Sequence, residues 1–334
     1  MKIGLSLSGL LQDSGDSNMV QRFADVMDIV RLGRELGFEY IYTGHHYLSY
    51  PYQMMQPIPA LARLSAITGD MDLLSTVLMP LQNPVRLAEE VATLDVLTNG
   101  HVIIAPALGY RDEEYEAFGV TRADRIRRML EGMELMKLLW SGEEVTFDGE
   151  FTKVTKAHIG IRPVQQPHPR MWMTANGDGM VRRIARMGYT WYLNPHANFE
   201  TLARQVEMYK TVWGEAGHAP IETLPMSRET FVAETRQKAQ DIVRPFLEGK
   251  YKTYAAWGQD KAMPGEEDFT QSFDELSKGR FIVGSPDDVI ADLTKFKDIG
   301  VTHASLRFGW PGTPKHVVES AIRLAAKEVL PALK

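Results

Sequence analysis

The chain has 334 residues, 44% of them hydrophobic, with 43 acidic against 37 basic side chains, a formal net charge of -6 and no cysteine. That length can bury a large core and exceeds the usual single-domain size of roughly 100–200 residues, so two domains or one barrel are the options. The acidic balance without a Lys/Arg run argues against a nucleic-acid partner, the missing cysteines exclude disulfides and thiolate chemistry and fit a reducing compartment, and no apolar run reaches the about 18 residues of a membrane span, so a soluble, cytoplasmic protein without membrane association is expected.

In chain order, Lys2–Ser8 reads as an apolar strand, and Met19–Leu36 repeats Phe23, Val26, Met27, Val30 and Leu36 at helical spacing before the stop signal Gly37. The pattern recurs with Glu39–Thr43 as strand, Pro57–Thr68 as helix, Asp72–Leu78 as strand, and Pro84–Leu97 as a helix closing at Asn99-Gly100. Val102–Leu108 is a nearly continuous apolar strand of the kind buried on both faces of a parallel sheet, and Arg122–Trp140 is a long amphipathic helix. Gly142–Ile161 reads as a small antiparallel excursion. Then come Arg170–Ala175 as strand, Asp178–Met187 as helix, Tyr189–Leu193 as strand, Phe199–Gly214 as helix and Thr223–Val232 as strand. Pro286–Ile299 as helix, Thr302–Arg307 as strand and Pro314–Leu330 as helix complete the series.

Eight strands alternating with helices predict parallel strands with right-handed crossovers, which close naturally into a (β/α)8 TIM barrel. A doubly wound open sheet is the competing α/β fold, but Ser8-Gly9-Leu10-Leu11 is not the glycine-rich turn that it usually carries after its first strand. Residues 1–334 are therefore read as one barrel domain. Thr235–Arg280 has no clean place in the count and is read as an insertion between the seventh strand and its helix, a candidate lid.

In a barrel the active site lies at the carboxyl ends of the strands. Gly44-His45-His46-Tyr47 follows the second strand, and on an extended segment one histidine points into the mouth while its neighbour cannot. This speaks against a metal, as does the lack of a His-x-His pair and of converging carboxylates. A structural or surface role for both histidines is the competing reading. After the fifth strand, Asn176-Gly177-Asp178-Gly179-Met180 opens a helix whose bare N–H groups suit a phosphate, against the plainer reading of an Asp-capped turn. Arg111, after the fourth strand, has two readings: a partner for an anionic ligand, or surface pairs with the acids that follow it. Met54-Met55, beside Tyr50, Pro51 and Tyr52, are candidates for lining an apolar substrate cavity.

Four stretches together resemble the bacterial luciferase-like flavin-dependent monooxygenases: Tyr42–Tyr47; Met79–Asp95; Leu108–Tyr115 with Phe118-Gly119; and Gly284–Val289 with Val329-Leu330-Pro331. The resemblance runs from the first strand to the last helix. It implies reduced FMN in the barrel mouth, a C4a-peroxyflavin formed with O2, and oxygenation of a small apolar or aromatic organic molecule. Electrons would come from a separate flavin reductase or from NAD(P)H, and members of the family often form homodimers. His45 matches the family's active-site histidine, an acid/base or hydrogen-bond partner of the flavin. Ser75-Thr76 matches a bulge, often a non-proline cis peptide, against which the isoalloxazine packs. Asn176, Gly177, Gly179 and Met180 match the phosphate turn, and Tyr110 and Asn194 fall at further cofactor contacts. The chain departs from the family pattern at Gly44, where a glutamate is common, at His101, where arginine usually follows Gly100, at Leu108, where a phosphate-binding arginine is found, and at Ala107, which replaces a dispensable cysteine. Arg111 and Arg182 are the candidates to compensate for the missing arginine. The alternatives carried forward are a coenzyme F420 oxidoreductase on the same barrel, a catalytically silent flavin-binding barrel, and a metal-dependent hydrolase.

Overall fold

Apolar runs covered on both faces can satisfy their backbone N–H and C=O groups only through neighbouring strands, which is why they pair here as a parallel sheet. The computed structural model describes residues 1–265 and 267–334; Glu266, inside the expected insertion, lies outside the described residues. β1 (Lys2–Ser6) is followed by β2 (Gln12–Ser14) and α1 (Met19–Glu35), β3 (Tyr40–Thr43) by β4 (Tyr52–Met54) and α2 (Pro57–Thr68), and β5 (Asp72–Leu78) by α3 (Pro84–Leu97). β6 (Val102–Ala107) leads into α4 (Asp112–Ala117), α5 (Arg125–Trp140) and the hairpin of β7 (Val145–Asp148) and β8 (Lys153–Ala157), which is the antiparallel excursion. β9 (Arg170–Thr174) precedes α6 (Asp178–Arg186), and β10 (Thr190–Tyr192) precedes α7 (Phe199–Glu215). β11 (Pro225–Val232) is followed by α8 (Arg236–Ala256), α9 (Phe273–Ser277), β12 (Ile282–Gly284) and α10 (Pro286–Asp298). β13 (His303–Arg307) is followed by α11 (Lys315–Leu324), which continues through a π-helical turn into α12 (Leu330–Leu333).

β1, β3, β5, β6, β9 and β10 pair in that order, and β1 pairs on its other side with β13, which pairs with β11, all in parallel. A bridge between Leu193 and Met226 joins the two ends, so eight strands form the expected (β/α)8 barrel. The two-residue period divides each strand. Tyr40, Tyr42, Leu74, Ile103, Ala105, Trp172 and Tyr192 turn inward as one packed cluster, while Ile41, Leu73, Val102, Ile104, Met171, Met173 and Trp191 turn outward to the helices. Each of these buried large side chains contributes roughly 1.5–3 kcal/mol.

Two expectations change. The Thr235–Arg280 segment begins with a long helix, α8, capped by the Thr235 hydroxyl and burying Ala239, Val243, Leu247, Tyr251 and Tyr254. Pro245 hides this helix in the sequence, because an interior proline usually breaks one; here it lies exposed on the outer face. The short β12 then pairs with Thr230–Val232 of β11 as a ninth strand beside the barrel. The bulge with a non-proline cis bond at Ser75-Thr76 is not formed either. Both residues lie in the β5 ladder opposite Ile104 and Ala105, where regular pairing satisfies the backbone, and the cis peptides among the described residues are Tyr50-Pro51 and Gln166-Pro167.

Candidate active site

At the carboxyl end of the barrel lies a cavity of about 530 Å³, within the range typical of small-molecule sites. Its floor is set by strand residues that face the lumen: Tyr42, Thr76, Thr174, Tyr192 and Arg307. The Tyr42 hydroxyl lies 2.9 Å from Thr76 Oγ1. Of the nine residues singled out in the sequence, His45, Thr76, Tyr110, Asn176, Gly177, Gly179, Met180 and Asn194 line this one cavity. Ser75 does not, because its neighbour Thr76 takes the inward direction and Ser75 turns to the helix layer.

Both histidines after β3 line the cavity, which corrects the expectation that only one can face the mouth. The alternation rule holds inside a strand, and the chain has left the extended ladder by Gly44. His45 is 7% exposed and its Nδ1 is buried without a partner. Burial first, and the neighbouring His46 second, pull its pKa down to about 4. His46 is gripped at both nitrogens, with Nδ1 3.1 Å from Glu114 Oε1 and Nε2 3.1 Å from the Tyr110 hydroxyl. Glu114, buried on α4, also accepts the Tyr47 N–H at 2.8 Å. A carboxylate distant in sequence thus supplies the orienting group that Gly44 lacks.

Arg111 is buried and pairs with Glu113 at 2.6 Å, as one reading of the acids after it expected; it also donates to the carbonyls of Tyr47 and Leu48 at 2.5 and 3.0 Å and lies 4.5 Å over the Trp257 ring. Its guanidinium braces the loop, and neither Arg111 nor Arg182 lines the cavity. Arg122, Arg125 and Lys261 do, with Arg122 also paired to Asp112 at 2.6 Å. Gly177 caps α6 without a side-chain bond, while Asp178 is drawn aside by Arg204 at 2.7 Å and Gln205 at 2.9 Å. The Arg204 contact, with Gln205 and Arg182 adding to it, lowers the Asp178 pKa to about 2. The start of α6, with no side-chain cap, and three cations therefore line one cavity, a combination suited to a phosphate.

The roof comes from the segment after β11, through Tyr254, Gln259, Lys261 and Ala262. Met54 lines the cavity, whereas Met55, Tyr50, Pro51 and Tyr52 do not. Asn194 is locked by its Oδ1, which accepts the His196 N–H at 2.7 Å. The sequence reading missed Gln12, Arg122, Arg125, Tyr192, His196, Lys261 and Arg307. Arg307 and Tyr192 had a signal, since each ends a barrel strand; the others arrive from segments outside the barrel strands, whose approach only the folded chain decides. Among the described residues no group of three or more His, Asp or Glu side chains is placed to hold a metal ion, and no helix is long and apolar enough to cross a membrane.

A flavin fits what is present. The buried, unpartnered His45 Nδ1 and Gln12 Oε1 offer one acceptor and one donor or acceptor to a ligand's polar edge, and leaving such atoms unmet costs about 1–3 kcal/mol each. Aromatic and apolar walls suit the ring, and the rim of N–H groups and cations suits a phosphorylated tail.

The family described as luciferase-like monooxygenase matches residues 1–303. Curated relatives in Mycobacterium tuberculosis, themselves uncharacterized, are 30% identical over 164 residues, covering 49% of this chain and 57% of theirs, so the chain spans little more than half the length of these relatives. An F420-dependent glucose-6-phosphate dehydrogenase of Amycolatopsis mediterranei is 24% identical over 324 residues, 93% of this chain and 94% of that protein. The oxygenase component of a flavin-dependent trigonelline monooxygenase of Acinetobacter baylyi is 22% identical over 334 residues, 96% and 92%. Among solved structures, a monooxygenase from Streptomyces bottropensis superimposes with a TM-score of 0.87 at 24% identity over 100% of both chains.

Proposed function

The chain belongs to the luciferase-like monooxygenase family, whose members include flavin- and F420-dependent oxidoreductases, and from that premise we propose that it is a monooxygenase using reduced FMN and O2 to oxygenate a small apolar or aromatic molecule. The observation that carries this reading is one cavity lined both by the start of α6 with Arg122, Arg125 and Lys261 and by His45, Gln12, Tyr42 and Thr76. When bound, reduced FMN supplies the two electrons that activate O2. Gly177, Gly179 and the rim cations hold its phosphate, and Asn176, Met180, Tyr110 and Asn194 flank it. His45, neutral at pH 7, offers a hydrogen bond without adding charge, and the His46 imidazole is held in place by Glu114 and Tyr110. The 235–280 segment acts as a lid that excludes water.

We assign delivery of reduced FMN to a separate reductase, a reading supported by the name of the Acinetobacter relative, an oxygenase component. We also assign a homodimer, which size-exclusion chromatography tests against the 37.7 kDa chain mass. The second reading is a coenzyme F420 oxidoreductase, favoured by three rim cations, which suit a tail more acidic than one phosphate. Fluorescence titration with FMN and with F420 separates the two. Enzymatic turnover with reduced FMN and isotopically labelled O2 should place label in the product; tight FMN binding without labelled product from an aromatic panel defeats the oxygenase reading.

A further inference from the structure

The floor of the cavity is short of negative charge. Arg307 and Lys250 are 5% and 1% exposed, and both depend on one carboxylate, Glu229, itself 1% exposed. Glu229 accepts from Lys250 Nζ, from Arg307 Nη1 at 2.8 Å and from Trp310 Nε1 at 2.5 Å, which uses both of its oxygens. Two buried basic groups therefore share one carboxylate. Behind them Arg228 is fully buried with Nε and Nη2 unpartnered, donating through Nη1 to the carbonyls of Pro195 and Ala197. Arg280 is the one nearby cation with its own carboxylate, Glu267. Burial and the charge of Arg307 drag the Lys250 pKa down to about 7, and burial with four cations holds His196 well below its ordinary value.

Of Arg307's donors, Nη1 goes to Glu229 and Nε reaches Ser6 Oγ at 3.4 Å. Nη2 has no protein acceptor among the described residues and is not among the fully buried unpartnered atoms, and the residue lines the cavity. A buried guanidinium that shares its carboxylate and leaves one donor unmet beside an open cavity is costly unless an anion enters. The same cavity is lined by apolar and aromatic side chains, among them Tyr42, Met54, Leu78, Ala107 and Tyr192. Arg122, Arg125, Lys261 and the start of α6 line the same cavity, so the cofactor phosphate has partners other than Arg307.

We propose that Arg307 is a specificity-determining residue that anchors the carboxylate of an apolar or aromatic organic acid at the floor of the cavity. Glu229 is its positioning residue, fixing the guanidinium from behind with the help of Trp310. This rests on the monooxygenase reading and narrows its substrate to acids.

The test uses the full chain without added cofactor. Calorimetric titration compares benzoate with benzamide and octanoate with octanamide, in wild type, Arg307→Gln and Arg307→Lys. In wild type one carboxylate at least should bind about 10- to 100-fold more tightly than its amide, the worth of one charge-assisted hydrogen bond. Arg307→Gln should erase that preference and Arg307→Lys restore part of it. Equal affinity for acid and amide in wild type, no binding of either acid, or a preference that survives Arg307→Gln overturns the proposal. If Arg307→Gln fails to fold, the wild-type pairs decide alone. Oxidised FMN should bind Arg307→Gln within about twofold of wild type; loss of FMN affinity with the acid preference intact assigns Arg307 to the cofactor and also overturns the proposal. Failure of the wild type to bind FMN sinks the oxygenase reading, while the acid-against-amide comparison still stands by itself.

Discussion

His45 meets the cavity as an uncharged ring. Its imidazole titrates near 6.5 when exposed and at about 4 when folded, so between those values the unfolded chain binds more protons than the folded one. Stability attributable to His45 is therefore complete above about 6.5 and falls as pH drops towards about 4, with a ceiling of ~3 kcal/mol. His45→Gln should flatten the dependence of the urea midpoint on pH in that window, and a slope equal to wild type contradicts the account. Glu114 works on the neighbouring ring. Glu114→Gln removes the charge that His46 Nδ1 and the Tyr47 N–H share, with an expected loss of about 1.5–3 kcal/mol in urea denaturation. Gly44 leaves room rather than chemistry: a Cβ there would stand 3.0 Å from the Tyr42 hydroxyl, so the glutamate common in the family would crowd the floor.

At the scale of elements, the seam between the first and last barrel units depends on one arginine. Arg22 of α1, 8% exposed, donates to the carbonyls of Leu10, Gly9, Trp310 and Thr313, tying the loop after β1 to the loop after β13. Gly9 permits this approach, since a Cβ on it would lie 2.1 Å from the Gly309 carbonyl oxygen. Arg22→Met removes donors from four carbonyls, of which only that of Trp310 keeps another, from the Thr313 N–H, and leaves Asp13 without its arginine, so it should cost about 3 kcal/mol or more, read as a lower urea midpoint. The roof carries a second prediction. Trp257 stacks on Tyr254 at 5.4 Å and Lys261 lies four residues further on at the cavity edge. Saturating FMN should slow tryptic cleavage after Lys261 relative to cleavage after exposed Lys153, and equal rates with and without FMN refute the lid.

For the molecule as a whole, the net charge of -6 works against an anionic cofactor, so attraction must be local. Arg122 and Arg125, which line the cavity, are the candidates to supply it. Arg122→Ala with Arg125→Ala should weaken oxidised FMN binding by about 10- to 100-fold and reduce its salt dependence, measured by flavin fluorescence at two ionic strengths. Affinity unchanged in the double variant removes the rim from the phosphate site.

The alternation of apolar runs and capped helices determined the barrel, because burial on both faces leaves parallel pairing as the way to satisfy the backbone, and eight such units close. The position rule for strand ends likewise located His45 and the Asn176–Met180 turn, since each follows a strand, while Thr76 came from the family resemblance. Tertiary structure alone decided the rest. It brought Glu114 under His46, turned Arg111 inward to brace a loop, carried α8 over the mouth despite Pro245, and set Arg307, Lys250 and Glu229 together from three separate elements. Those pairings join residues tens to hundreds of positions apart, and local patterns encode which way a side chain points but not which distant partner it will meet.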